Sequence, residues 1–140
     1  MKNFITSFLF LLSTHLVAQK SAIESDDLIK KSIYFGGGSY YIDDLQKEEL
    51  SIFLTNVEDI NTYEIVVFSH TDNIGGKEYN EWLSMMRSEA VIDQLIINGI
   101  PREMTEIRDF GQSNPLYTNQ SMGGRMMNRR VDVILVPITF

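Results

Sequence analysis

The sequence predicts an α+β fold, a two-layer sandwich in which helices pack on one face of a mixed four-stranded sheet. Three observations predict it. Residues 63–68 form an apolar run typical of a buried strand, and residues 129–136 form a second strand that is apolar on both faces. Two further stretches have the apolar periodicity of helices. Together they give the element order β-α-β-α-β-β.

The first half of the predicted domain contains a short strand and a helix. The strand covers residues 32–35 and ends at the glycine run 36–38. The helix begins at Asp43. Its apolar residues recur at i, i+3, i+4 and i+7 and form a stripe that should pack on the sheet: Leu50, Phe53, Leu54 and Val57.

A longer second helix is predicted at about residues 77–98. Gly99 provides a C-cap for it, and Pro101 prevents its continuation. We assign five residues to its apolar side, which should face the sheet: Tyr79, Leu83, Met86, Ala90 and Ile97.

Two strands complete the predicted sheet, a short one near residues 106–110 and a longer one at 129–136. The longer strand is apolar on both faces, which predicts a central position in the sheet. The segment between them, residues 111–128, is long for a loop in a compact domain. That length favours a functional role for it.

The N-terminus has the pattern of a secretory signal peptide. A basic start at Lys2 precedes the apolar run 4–12, which is too short to span a bilayer. We expect cleavage after Ala18 or Gln19. A retained apolar anchor is the alternative interpretation.

This pattern divides the chain into a signal peptide at 1–19, a polar lead-in at 20–31 and one domain at 32–140. The sequence contains no cysteine, so we expect neither a lipid-modified N-terminal cysteine nor a disulfide. The net charge of −7, from 12 basic and 19 acidic residues, argues against nucleic acid as a partner. We therefore expect a free-standing domain in the periplasm.

The candidate site combines a carboxylate with a guanidinium. Asp72 follows the strand at 63–68, and the carboxyl ends of strands are favoured ligand positions in α/β sheets. One face of the next helix carries residues at i, i+3, i+4 and i+7 that should converge with it: Asn80, Leu83, Ser84 and Arg87. A carboxylate binds an ammonium group, and a guanidinium forks onto a carboxylate, so the pair predicts a site for a zwitterion. The alternative is an interior Asp72–Arg87 salt bridge that only ties strand to helix.

These motifs resemble the OmpA-like peptidoglycan-binding domain family. The resemblance covers roughly residues 32–137. It rests on the run 69–75, the helix face just described, the opening strand at 33–35, and a closing motif that includes Gly111, Pro115, Asn119, Arg125 and residues 128–131. The chain departs from the usual family pattern at three positions: Ser69, Ser88 and the segment after Gly111.

The resemblance implies a specific ligand. In the family, residues matching Asp72 and Arg87 grip the diaminopimelate of the peptidoglycan stem peptide, with support from those matching Asn80 and Arg129. The free centre of diaminopimelate is a zwitterion, which agrees with the chemistry predicted from the residues alone. Two further motif positions complete the expected site: Thr71 and Leu83.

Arg129 and Arg130 are adjacent in the last predicted strand, so alternation sends their side chains to opposite faces. Only one of them can point into the site, and the resemblance selects Arg129.

Catalysis is the main competing interpretation. His70 beside Asp72 invites a general-base role, but no hydroxyl or thiol nucleophile with a matching motif is evident. The scattered carboxylates also lack the spacing of a metal-ligand set. We therefore expect a non-catalytic peptidoglycan-binding module without cofactor or metal. A hydrolase or transglycosylase acting on peptidoglycan and an envelope protein-interaction subunit, with outer-membrane proteins as partners, are the alternatives.

Overall fold

The computed structural model describes residues 28–139. Four strands and three α-helices follow one another in this range: β1 Ile29–Tyr34, α1 Asp44–Thr55, β2 Tyr63–His70, α2 Lys77–Ile97, β3 Thr105–Gly111, α3 Met122–Asn128 and β4 Arg130–Pro137. The α+β class and the predicted order are confirmed, with α3 as an addition. The proposed signal peptide and most of the lead-in lie outside the described residues.

The sheet has the strand order β1-β4-β2-β3. β4 pairs antiparallel with both β1 and β2, while β2 pairs parallel with β3, so the sheet is mixed as predicted. β4 lies between two other strands, which confirms the central position predicted from its two apolar faces. The parallel pair β2–β3 is joined through α2, as parallel strands require a crossover.

One face of the sheet packs against α1 and α2 around a single core. Alternate strand residues such as Ile33, Val67 and Val133 point into it and are fully buried. From α1, Leu50 and Leu54 are buried, and the remaining two residues of the predicted stripe pack partly buried against the core. The two-layer arrangement and the α1 stripe are therefore confirmed.

The predicted apolar side of α2 is largely wrong. Tyr79 and Ile97 are 44% and 73% exposed, and of the five assigned residues only Leu83 is fully buried. The buried face contains Asn80, Leu83, Ser84, Arg87, Ser88, Val91, Ile92 and Leu95. The first turns of α2 bury the polar side chains of Asn80 and Arg87, which line the candidate site. Apolar spacing alone therefore predicted the wrong orientation for this helix.

Two strand boundaries also differ from the prediction. β1 begins at Ile29 rather than at residue 32, and the polar residues Lys30 and Lys31 pair with β4. Charged residues are common on edge strands, which explains why the segment resembled a lead-in. Lys31 Nζ also contacts Glu49 Oε2 of α1 at 2.6 Å. β4 begins at Arg130 rather than at Arg129.

The segment predicted as a long loop, residues 111–128, ends in α3. The Ser121 hydroxyl accepts a hydrogen bond from the Gly124 amide and caps this helix. Buried Asn128 exchanges hydrogen bonds with the backbone of Tyr117, at 2.8 and 3.0 Å. These bonds hold the segment in one conformation. No helix within residues 28–139 is long and apolar enough to cross a membrane.

Candidate functional site

A cavity of about 250 Å³ opens where the end of β2, the start of α2, the β1–α1 loop and the end of α3 meet. Ten residues line it: Gly37, Gly38, Asp72, Ile74, Gly75, Tyr79, Asn80, Leu83, Arg87 and Arg129. Five of the six residues predicted for the site are among them. Thr71 is the exception: it is buried, and its amide donates to Gly111 O.

Asp72 is held in place by two hydrogen bonds. Its Oδ1 accepts from the Ile74 amide at 3.0 Å, a local turn that fixes the side chain. Its Oδ2 accepts from Arg129 Nη1 at 3.2 Å. A carboxylate offers about four lone-pair sites, so Asp72 keeps the capacity to accept further donors, such as those of an ammonium group.

Arg87 is fully buried and lines the inner wall of the cavity. Its Nε, Nη1 and Nη2 donate to three backbone carbonyls, those of Ser39, His70 and Gly36, at 2.8, 3.2 and 2.9 Å. The guanidinium therefore links α2 to the β1–α1 loop and to the end of β2. Of its five N–H donors, two have no partner among residues 28–139, one on each terminal nitrogen.

The charge of Arg87 persists despite this burial. Burial lowers the pKa of the guanidinium to about 10, with Asp72 acting to raise it and Arg129 to lower it. The side chain is cationic at neutral pH because this pKa lies well above 7. The cavity thus contains two guanidinium groups and one carboxylate.

The alternative of an Asp72–Arg87 salt bridge is wrong. Asp72 pairs with Arg129, at 3.2 Å, and not with Arg87. Arg87 does tie strand to helix, but through neutral carbonyls rather than through a carboxylate.

Arg129 and Arg130 point to different places. Arg129 is the C-cap of α3, and its Nε also donates to Phe35 O at 3.3 Å. Arg130 pairs with Asp132 at 3.0 Å on the sheet face opposite α1 and α2. The structure therefore places Arg129, not Arg130, at the cavity. The separation arises from a helix cap followed by a strand, not from alternation along one strand.

Asn80 and Leu83 form one side of the cavity. The Asn80 amide donates to Ile74 O at 3.1 Å and to Gln112 Oε1 at 2.8 Å, so it braces the turn after Asp72. Leu83 contributes a buried apolar wall.

Sequence reasoning missed five lining residues: Gly37, Gly38, Ile74, Gly75 and Tyr79. Tyr79 lies between two glycine turns, because a Cβ at Gly38 or Gly75 would come within 3.1 Å of its hydroxyl or 2.9 Å of its Cδ1. The sequence placed Tyr79 on the helix face of Leu83, four residues later, but assigned it to the sheet-facing apolar side and not to the site. The contribution of Gly37 and Gly38 was not detectable, because it depends on a contact between distant segments.

Gly75→Ala is expected to destabilise the fold by about 1–3 kcal/mol, because φ at this residue is +96° and the added methyl group would collide with Tyr79. Gly76→Ala is the matched control, since no atom of the described residues lies within 4 Å of a Cβ there and its φ is −78°. Urea unfolding of both variants checks the difference. Equal stability of the two would show that the turn relaxes freely.

His70 does not reach the cavity. Its ring stacks on Phe110 at 5.5 Å, and its Nε2 lies 3.8 Å from Asp132 Oδ2, on the sheet face opposite α1 and α2. Burial lowers the pKa of the imidazole, Arg130 lowers it further, and Asp132 opposes both. His70 is therefore not positioned to act as a base on a ligand bound beside Asp72.

Comparison with known proteins identifies the family to which this fold belongs. The family model described as "OmpA family" matches residues 34–129, about two-thirds of the chain. The crystal structure of the peptidoglycan-associated lipoprotein from Burkholderia pseudomallei superposes with a TM-score of 0.70 at 26% identity, over 76% of this chain and 90% of that one.

Two curated relatives are also similar. Outer-membrane lipoprotein YfiB of Pseudomonas aeruginosa is 41% identical over 66 residues, which cover 47% of this chain and 39% of that protein. Outer membrane protein A of Escherichia coli O157:H7 is 44% identical over 55 residues, 39% of this chain and 16% of that protein. The matches thus span less than half of each curated relative. With the family match over most of the described fold, the chain belongs to the OmpA family.

Proposed function

We propose that this domain binds peptidoglycan without catalysis, by holding the zwitterionic free centre of the diaminopimelate in a stem peptide. The observation that carries the proposal is the cavity in which one carboxylate and two guanidinium groups converge. The Burkholderia pseudomallei relative, named as peptidoglycan-associated, supports the same ligand class.

Charge complementarity assigns the two ends of the ligand. Asp72 accepts the ligand ammonium, while Arg87 and Arg129 bind the ligand carboxylate. Two guanidinium groups against one carboxylate leave the cavity positive, so a ligand carboxylate is favoured within it. Each hydrogen bond to a charged group contributes about 1.5–3 kcal/mol.

The two arginines have different tasks in this arrangement. Arg129 is 18% exposed and uses two of its five N–H donors, so it meets the incoming carboxylate first. Arg87 offers its two remaining N–H groups from the inner wall. Its bonds to three carbonyls fix the fork before the ligand arrives, which reduces the entropic cost of binding.

The size of the cavity limits what enters it. At about 250 Å³ it is smaller than the roughly 300–1,000 Å³ of pockets that enclose drug-sized ligands. It suits the end of one amino-acid side chain, with the rest of the stem peptide outside.

The lining supports binding rather than catalysis. Within the described part of the chain, the residues that line the cavity include no serine, cysteine or histidine. A hydrolase or transglycosylase needs an acid or base placed against the reacting bond, and Asp72, the carboxylate of this lining, is assigned here to the ligand ammonium.

We further propose that the domain acts in the periplasm, attached to the wall, after secretion by a cleavable signal peptide at residues 1–19. The names of two relatives place them at the outer membrane, which supports an envelope location. Outer-membrane proteins are the corresponding class of protein partner.

Sedimentation with intact sacculi tests the proposal against its alternatives. We expect the protein to co-sediment with sacculi and to release no soluble muropeptides. Release of muropeptides would identify a hydrolase or transglycosylase. Protein that stays in the supernatant would favour a protein-interaction subunit.

A further inference from the structure

We propose that three exposed aromatic side chains beside the cavity, Tyr79, Trp82 and Tyr40, form a platform that stacks against a sugar ring of the glycan strand. This inference rests on the proposed function, because it extends the same ligand from the stem peptide to the saccharide that carries it. We call these three residues the aromatic platform.

The rings of the aromatic platform contact one another and remain accessible. The centroids of Tyr79 and Trp82 are 5.8 Å apart, and those of Trp82 and Tyr40 are 6.2 Å apart. Each of the three side chains belongs to a residue that is 44% exposed. Clustered exposed aromatic rings mark interaction sites, because single exposed rings are ordinary but contiguous apolar patches are not.

The aromatic platform continues the cavity. Tyr79 belongs to both, so a ligand that leaves the cavity on this side meets Trp82 and then Tyr40. Beyond Tyr40 lies a shallow groove whose polar side chains include Lys47, Asp93 and Gln94. These groups can exchange hydrogen bonds with sugar hydroxyl and N-acyl groups.

A pyranose ring matches this surface chemically. It has an apolar C–H face, which suits an aromatic ring, and a polar rim, which suits the groups beside Tyr40. A protein partner fits less well. Three aromatic side chains of about 150–250 Å² each expose about 200–330 Å² at this exposure, whereas a stable protein interface needs about 800 Å² per partner.

The distances also agree with a stem peptide that spans the two regions. The ring centroids of Tyr79 and Tyr40 lie no more than about 12 Å apart, given their separations from Trp82. An extended peptide advances about 3.5 Å per residue, so about three residues cover roughly 10 Å. A sugar that carries the stem peptide can therefore reach Trp82 and Tyr40 while the free centre of the diaminopimelate occupies the cavity.

Two matched ligands test this proposal: a diaminopimelate-containing stem tripeptide, and the same tripeptide attached to its disaccharide. We expect the wild type to bind the disaccharide form about five- to tenfold more tightly, the size of one aromatic stacking contact. Tyr40→Ala is expected to remove this preference and leave tripeptide affinity unchanged, because Tyr40 does not line the cavity. Trp82→Ala is expected to remove the preference as well.

Ile96→Ala serves as the control for a lost exposed side chain. Ile96 lies on the same helix and is 46% exposed, but it is about 21 Å from Trp82 along the helix axis. We expect it to retain the preference for the disaccharide form. The proposal is overturned if the wild type binds both ligands equally, or if the preference survives in both Tyr40→Ala and Trp82→Ala.

Fluorescence separates the failure of this proposal from the failure of the proposed function. Trp82 is the only tryptophan in the chain, so its emission reports on the aromatic platform alone. Titration with a tetramer of β-1,4-linked N-acetylglucosamine is expected to shift that emission in the wild type and in Asp72→Asn. If the tripeptide fails to bind the wild type, the proposed function fails, and this titration decides the aromatic platform separately: an emission shift supports it and no shift overturns it.

Discussion

Replacing Asp72 with Asn is expected to weaken binding to sacculi by about 2–5 kcal/mol, which is at least roughly 30-fold in affinity. Asn has nearly the same shape and can still accept the Ile74 amide, so the turn is kept. It lacks the charge that attracts the ligand ammonium and that orients Arg129. Sedimentation with sacculi at several protein concentrations measures the change.

Asp132→Asn is the matched control for this substitution. Asp132 and Asp72 are both 5% exposed, and each pairs with an arginine, but Asp132 lies on the opposite face of the sheet. We expect the Asp132 variant to lose stability and to bind sacculi like the wild type. Equal binding losses in the two variants would show that the effect of Asp72 comes from the fold and not from the cavity.

Arg87→Lys is expected to lose both stability and affinity, although the net charge is unchanged. The guanidinium reaches two carbonyls of the β1–α1 loop and one at the end of β2, and an ammonium group cannot reproduce this planar fork. Leaving even one buried carbonyl unsatisfied costs about 1–3 kcal/mol, so we expect the free energy of unfolding to fall by roughly 3 kcal/mol. Urea unfolding and tripeptide binding of the folded variant measure the two effects.

Arg125→Lys provides the comparison for Arg87. Arg125 donates to a single carbonyl, that of Asn119, at 2.9 Å, and it is only partly buried, so its replacement should cost less than about 1 kcal/mol. If Arg87→Lys is destabilised but its folded fraction keeps wild-type affinity, Arg87 frames the cavity without contacting the ligand. Wild-type stability and affinity together would contradict both of its proposed roles.

The elements that the sequence predicted well are those whose local pattern reflects their packing. The stripe of α1 that includes Leu50 and Leu54 faces the core, and β4 is central, because apolar residues decide both positions. The face of α2 was misjudged because Asn80 and Arg87 are buried for hydrogen bonding and not for apolar burial. α3 was not predicted because it is short and contains two adjacent glycines, which are poor helix formers.

The candidate site was predictable to the extent that it is local in sequence. Asp72 follows a strand, and helical spacing places Arg87 on the same face as Asn80 of the next helix, so their presence at one cavity followed from the sequence. The pairing of Asp72 with Arg129 joins residues 57 positions apart, and only family resemblance indicated that Arg129 belongs there. The three carbonyls that hold Arg87 belong to backbone whose position depends on the complete fold, which no local pattern encodes.

The most direct measurement is the affinity of the wild-type protein for two stem tripeptides that differ only in diaminopimelate or lysine at the last residue. The lysine peptide retains the side-chain amine but lacks the carboxylate that Arg87 and Arg129 are proposed to bind. We expect it to bind at least roughly tenfold more weakly, the loss of about 1.5–3 kcal/mol from a charged hydrogen bond. Equal affinity for the two peptides would contradict the proposed function, because the cavity would then not distinguish a ligand with the side-chain carboxylate from one without it.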